Sequence, residues 1–302
     1  MNTIFDDFKN AFRRGDNGVV QLILINLIVY LVINFLLVIS AISNNGNALS
    51  QFLLMNLALP APVLSFLVKP WTLITYFFTH EGFWHILWNM LFLYWFGNLV
   101  KEYLGNRRFV NVYILGGISG GVLYLLMYNL VPYFVNNQPY LGLIGASGAV
   151  YAVVVAAATL IPNYTFNLLL IGPVRIVYIA AFYVVASFFG LAGGNAGGNL
   201  AHLGGAVIGF LFIRQLHRGT DLGRPITYLA DKFNGLFQRK PKLRVTHNGK
   251  PTTRTRRATG TSGKPDQQEI DAILDKISHS GYESLTKEEK QKLFSASQNQ
   301  RE

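Results

Sequence analysis

Residues 143–161 read LIGASGAVYAVVVAAATLI, an almost wholly apolar run that opens on a serine between small residues, Gly145-Ala146-Ser147-Gly148. The surroundings decide what kind of helix this is. No Asp, Glu, Lys or Arg occurs between Arg108 and Arg175, nor between Arg175 and Arg214. A water-soluble domain carries charge on roughly a quarter of its residues, so stretches this long without charge belong in lipid. The whole composition agrees: 51% of residues are hydrophobic and only 14% are charged. The expectation is an all-α polytopic membrane protein. The absence of cysteine from the sequence excludes disulfides and thiolate chemistry. The start, MNTIFDDFKNAFRRGDNG, mixes charges and has no short apolar core, so no cleavable signal peptide is expected. The net charge of +11 would suit nucleic acid, but most of the excess lies after Arg214. A tail against an anionic inner leaflet accounts for it, with no nucleic-acid partner.

A helical span needs roughly 20 mostly apolar residues. Six segments qualify: 19–42, 83–100, 110–131, 145–162, 174–190 and 200–216. The apolar stretch 52–68 is interrupted by Pro60 and Pro62 and reads as a membrane-embedded first loop with short helices. Lys and Arg alternate between connections. The N-terminal arm has Lys9, Arg13 and Arg14, the second loop Lys101, Arg107 and Arg108, and the fourth Arg175, whereas the first has only Lys69. By the positive-inside rule both termini are cytoplasmic, and loops one, three and five face outward.

With that orientation, spans two, four and six all run inward from the outer face. Each brings polar groups to a similar depth: His85 and Asn89, Ser147, and His202. Polar side chains inside a membrane are costly and usually functional. A serine becomes a nucleophile when a histidine takes its proton. No aspartate lies between Asp16 and Asp221, and the glutamates in that interval are Glu81 and Glu102, so a Ser-His-Asp triad is not available. A Ser-His dyad remains. Tyr151, four residues past Ser147 and on the same helix face, is positioned to stack on His202. Gly205 and Gly209 share a face with His202 and allow close helix approach. Backbone amides at the start of span four, with side-chain donors from His85 and Asn89, are candidates for stabilising an oxyanion.

These residues resemble the rhomboid intramembrane serine proteases. The matching pieces are Gly145-Ala146-Ser147-Gly148 with Tyr151; His80, His85 and Asn89; Ala201-His202 with Gly205 and Gly209; and the six-span order. The resemblance covers roughly residues 15–216. It implies a six-transmembrane-helix bundle and a serine-type endopeptidase that cuts transmembrane helices of other membrane proteins near the outer face. It further implies Ser147 as nucleophile, His202 as base and then acid, and His85 and Asn89 with the Ser147 amide as the oxyanion site. Tyr151, Gly145, Gly148, Gly205, Gly209 and His80 would be supporting, with His80 in loop-one and span-two packing. No metal and no cofactor are expected; the partners are transmembrane substrates and the lipid bilayer. The family often has Trp-Arg in loop one, where this chain has Trp71-Thr72. A multi-pass protein of a bacterial cytoplasmic membrane is the expected setting.

A zinc protease is the nearest rival in motif, through HEGFWH. Its two histidines should be four apart on one helix face, and His80 and His85 are five apart, about 140° around an ideal helix. A transporter or a non-cutting homologue that binds transmembrane clients is the other reading; the presence of both Ser147 and His202 favours catalysis. The glycine-rich fifth loop, GLAGGNAGGN, reads as a mobile cap or a plain connector.

The expected organisation is an N-terminal arm over 1–18, a catalytic domain over 19–216, an amphipathic segment over 217–240, a basic disordered linker over 241–268 and a helical hairpin over 269–298. The amphipathic face would carry Ile226, Leu229, Phe233 and Phe237. The hairpin rests on Ile270, Ile273, Leu274 and Ile277, with Thr286 and Glu289 as a capping box, and it resembles a module on some bacterial rhomboids.

Overall fold

The computed structural model describes residues 16–43, 48–168, 171–237 and 267–298. Most of the expected N-terminal arm and linker therefore lie outside the described residues. Contacts divide the chain into two units, Met1–Lys240 and Pro241–Glu302.

Each segment read as a span contains a helix: α1 (Gly18–Ile42), α5 (Phe83–Leu104), α6 (Asn106–Leu130), α8 (Ser147–Leu160), α9 (Ile176–Phe189) and α10 (Ala196–His217). Among the described residues, three of them are long and apolar enough to cross a membrane by length and composition: α1, α6 and α10. The loop between α5 and α6 shrinks to Gly105, whose φ of +82° reverses the chain.

Short helices, as expected, flank Pro60 and Pro62: α2 (Ala48–Leu57) and α3 (Val63–Val68), followed by α4 (Thr72–Thr75) and a short 3₁₀ turn, Tyr76–Phe78. The last carbonyls of α2 lack intrahelical partners, and three side chains satisfy them. Lys69 Nζ donates to Met55 O at 3.1 Å, Trp71 Nε1 to Asn56 O at 2.9 Å, and Thr75 Oγ1 to Leu57 O at 2.8 Å. The cation at this helix end is Lys69, two residues before Trp71. A hairpin that sequence reading missed joins α8 to α9: β1 (Thr165–Leu168) pairs antiparallel with β2 (Gly172–Arg175), and Phe166 packs on Phe96. Its strands are four residues each, too short for an alternation signal to stand out.

α8 lies at the centre of the first unit. It packs against α10, α6, α5 and α9. Ala149, Ala152, Val153, Ala156 and Ala157 are all essentially inaccessible. Such small side chains let neighbours approach on every side, which explains a helix apolar all round. Ile161, followed by Pro162, ends it with φ −133° and ψ 63°. A short helix, α7 (Pro132–Val135), follows α6.

Below α10, α11 (Arg224–Phe237) is tied to the start of α6. Asn111 Nδ2 donates to Gly223 O at 3.2 Å and to Thr227 Oγ1 at 2.9 Å, and Arg108 pairs with Asp221 at 3.2 Å. Leu229 and Phe233 of its apolar face are exposed, as is Tyr228, while Ile226 is half-buried. The side chain of Phe237 lies outside the described residues.

In the second unit, α12 (Gln267–Ser280) and α13 (Lys287–Gln298) form a helical pair around Ile273 and Leu285. Leu274, expected in this core, is exposed, whereas Leu285 from the connecting turn is buried. The capping box closes reciprocally: Thr286 N–H donates to Glu289 Oε2 at 2.7 Å and Glu289 N–H to Thr286 Oγ1 at 3.3 Å.

Candidate active site

Ser147 is the first residue of α8, and the chain entering it is fastened at three points. Leu143 and Leu59 exchange N–H···O bonds of 2.8 and 3.0 Å. Gly145 N–H donates to Tyr76 O at 3.0 Å, and Ala146 N–H donates to His80 Nε2 at 3.2 Å. The first loop thus supports the serine from its N-terminal side. Gly145 is required twice over. Its φ is +117°, and a Cβ there would lie 2.7 Å from the His85 ring.

α10 approaches α8 backbone to backbone. A Cβ on Gly205 would overlap the Gly148 carbonyl, and one on Gly209 the Ala152 carbonyl. A Cβ on Gly148 would in turn lie 3.0 Å from Ala201 O. This brings His202 beside Tyr151, whose ring stacks on the imidazole with centroids 4.0 Å apart and planes 8° from parallel. α10 begins at Ala196, so His202 lies in its second turn.

Sequence reasoning missed Ser187 on α9. Its Oγ is 3.0 Å from His202 Nδ1 and 3.0 Å from Tyr151 Oη. The available signal was a lone serine in an otherwise apolar and aromatic span, IVYIAAFYVVASFF.

His85 is the third residue of α5, and Asn89, one turn on, donates from Nδ2 to His85 O at 2.8 Å. His80 precedes α5 altogether, which removes the helix on which its angle to His85 was reckoned. The two rings meet edge to face at 5.1 Å, with His80 Nε2 already holding the Ala146 amide. Among the described residues no group of three or more His, Asp or Glu is arranged to hold a metal ion.

Ser147, His202, His85 and Asn89 all line one cavity of about 1140 Å³, bordered by Trp84 and Trp88. Ser147 brings the start of α8 to this cavity, and the first amides of a helix have no intrahelical acceptor. The glycine-rich fifth loop also borders the cavity, but Gly190–Ala192 form a 3₁₀ turn and Ala196 already begins α10. Asn195 caps α10 through Gly198 N–H at 3.3 Å, and Asn199 Nδ2 holds Gly190 O at 2.7 Å.

Residues 68–219, from the end of α3 through α10 and including each of these side chains, match the rhomboid domain. The chain belongs to the rhomboid family. Among similar proteins, RHOMBOID-like protein 12, mitochondrial, of Arabidopsis thaliana is 29% identical over 157 residues, 49% of this chain and 47% of that relative. Rhomboid protein 1, mitochondrial, of Saccharomyces cerevisiae is 32% identical over 139 residues, covering 45% and 38%. The putative rhomboid protease YdcA of Bacillus subtilis is 32% identical over 160 residues, covering 49% and 70%. The rhomboid chain spans about half the length of the first of these relatives. Organellar relatives stand beside the bacterial one, so the similarity does not support a bacterial cytoplasmic membrane over an organellar one. Residues 264–299 of this rhomboid match a second model, a family of unknown function (DUF6576). With its long apolar helices, this rhomboid is a membrane protein.

Proposed function

We propose that this rhomboid is an intramembrane serine endopeptidase that cleaves transmembrane helices of other membrane proteins near the outer face, through Ser147 and His202. The observation that carries the reading is the Tyr151–His202 stack beside the glycine-mediated contact of α10 with α8. It holds an imidazole rigidly at the cavity that Ser147 also lines. Ser147 Oγ attacks the scissile carbonyl carbon while His202 takes its proton. The negative charge developing on the carbonyl oxygen is met by the Ser147 amide, His85 and Asn89. His202 then protonates the leaving nitrogen as the C–N bond breaks, leaving an acyl-enzyme. Water attacks that ester, gives its proton to His202, and the proton returns to Ser147 Oγ as the acid departs.

The six helices form the membrane-spanning bundle, with both termini cytoplasmic and loops one, three and five outward. α8 has 14 residues, about 21 Å at 1.5 Å per residue, against a hydrocarbon core of about 30 Å. Ending near the inner face, it starts well below the outer one. Water reaches Ser147 through the cavity while the embedded first loop covers the missing length. The exposed Tyr228, Leu229 and Phe233 of α11 lie on the inner leaflet.

Purified protein treated with a fluorophosphonate probe tests the assignment. Wild type is labelled and Ser147→Ala is not. Equal labelling of the two sinks it.

A further inference from the structure

α9 carries one polar side chain besides its tyrosines, and that side chain is buried. Ser187 is 3% exposed, with Oγ 3.0 Å from both His202 Nδ1 and Tyr151 Oη. Tyr151 Oη lies in turn 3.5 Å from the carbonyl oxygen of Tyr183. A carbonyl only accepts, so this contact, long for an O–H···O bond, favours a proton order that starts from that end. Tyr151 donates to Tyr183 O. Ser187 donates to Tyr151. A hydroxyl has one proton, and with that proton committed, Ser187 Oγ faces His202 only as an acceptor. The neutral imidazole must then carry its proton on Nδ1, and Nε2 keeps its lone pair.

We propose that Ser187 is a positioning residue for His202: with Tyr151 and the Tyr183 carbonyl it forms a hydrogen-bond relay that holds the imidazole as the Nδ1–H tautomer, leaving Nε2 to accept the Ser147 proton. This rests on the reading of Ser147 and His202 as the reacting pair. The two contacts divide the work. Stacking on Tyr151 fixes the plane of the ring, and the bond to Ser187 fixes its rotation within that plane. During attack Nε2 gains the proton from Ser147 Oγ, and Nδ1–H stays donated to Ser187, so no proton travels along the relay.

A hydroxyl here takes the place that a carboxylate has in a triad, where the orienting group selects the tautomer. It does so without the cost of an ionised carboxylate inside a membrane. The sequence has no aspartate between Asp16 and Asp221, so the orienting group has to be neutral unless Glu81 or Glu102 supplies it. Neither glutamate hydrogen-bonds or ion-pairs with His202 among the described residues.

The test combines a spectrum with kinetics. Nitrogen-15 NMR of histidine-labelled protein in detergent, with His202 identified through His202→Gln, reads the tautomer in the unmutated chain. Cleavage of a model transmembrane substrate is compared between wild type, Ser187→Ala and Ser147→Ala. The expected result is an Nδ1–H tautomer in wild type, a mixture in Ser187→Ala, and kcat lower by about tenfold with KM unchanged. An Nε2–H tautomer in the unmutated chain overturns the proposal, whether or not Ser187→Ala folds. So does wild-type kcat in Ser187→Ala while Ser147→Ala is inactive. Cleavage by Ser147→Ala instead removes the underlying dyad, an outcome recognisable by itself.

Discussion

The ring of Tyr151 lies flat on the imidazole of His202, 4.0 Å between centroids and 8° from parallel, while its hydroxyl reaches Ser187. One residue thus contributes in two separable ways, a face and an oxygen. Tyr151→Phe keeps the stacked face, whereas Tyr151→Ala loses both. An aromatic pair contributes about 0.5–1.5 kcal/mol beyond its buried area. Tyr151→Phe, which frees the Ser187 proton, is expected to lose about as much as Ser187→Ala, roughly tenfold, and Tyr151→Ala to fall about two- to tenfold further. Rates at equal folded fraction check this; equal rates for the two variants remove the stack from the argument.

Gly205 allows α10 to touch α8 at the Gly148 carbonyl. A methyl group has no room there, because the obstruction is backbone and cannot rotate away. Gly205→Ala should separate the helices at a cost of about 1–3 kcal/mol, lowering Tm and abolishing probe labelling together. Gly235→Ala, where a Cβ meets nothing within 4 Å, is the control and should leave both unchanged.

His80 accepts the Ala146 amide in a fully buried setting. Replacing it by Leu leaves that N–H without its partner, and an unsatisfied buried donor costs about 1–3 kcal/mol. The expected outcome is a lower Tm and slower fluorophosphonate labelling, since the residue before Ser147 loses its anchor. An unchanged Tm would mean that another acceptor or water replaces the ring.

His85→Ala and Asn89→Ala each remove one of several donors proposed for the oxyanion. A single such donor is worth about 10²–10³ in turnover. Both variants should bind substrate, react slowly and keep measurable activity. Asn89 should be the milder loss, because its Nδ2 is partly committed to the His85 carbonyl. Steady-state cleavage by the two variants tests the order.

In the second unit, the Thr286 backbone N–H, then Lys276, hold the Glu289 carboxyl below the usual carboxylate range. A carboxyl whose folded value is depressed stabilises the fold above its unfolded value. That contribution is lost as pH falls through the lower folded value. Protection factors of the Glu289 and Lys290 amides in the full chain, corrected for the intrinsic pH dependence of exchange, should therefore fall on acidification below the ordinary glutamate range. Glu289→Gln should remove that step. An acid step persisting in Glu289→Gln would assign it elsewhere.

Much of this was legible in one dimension. Lipid-length stretches without charge pointed to the helices at 19–42, 110–131 and 200–216, because burying charge in hydrocarbon is costly over any such length. The polar residues inside the apolar stretches at 83–100, 145–162 and 200–216, namely His85, Asn89, Ser147 and His202, stood out for the same reason. The Thr286–Glu289 box was readable because its partners are three residues apart. Contacts between distant segments carried no such signal. Ser187 lies 15 residues from His202, on a different helix, and its hydroxyl acquires meaning only when α9 and α10 pack. The bond from Ala146 to His80 spans 66 residues, and the pairing of Leu59 with Leu143 is longer still. Sequence by itself determined which segments are apolar helices and which side chains are too polar to be there without a reason, since both follow from local solvation. Which of those side chains meet, and which nitrogen of His202 is held, was decided by the tertiary structure, because hydrogen bonds and ring stacks act over a few ångströms between atoms that the chain keeps far apart.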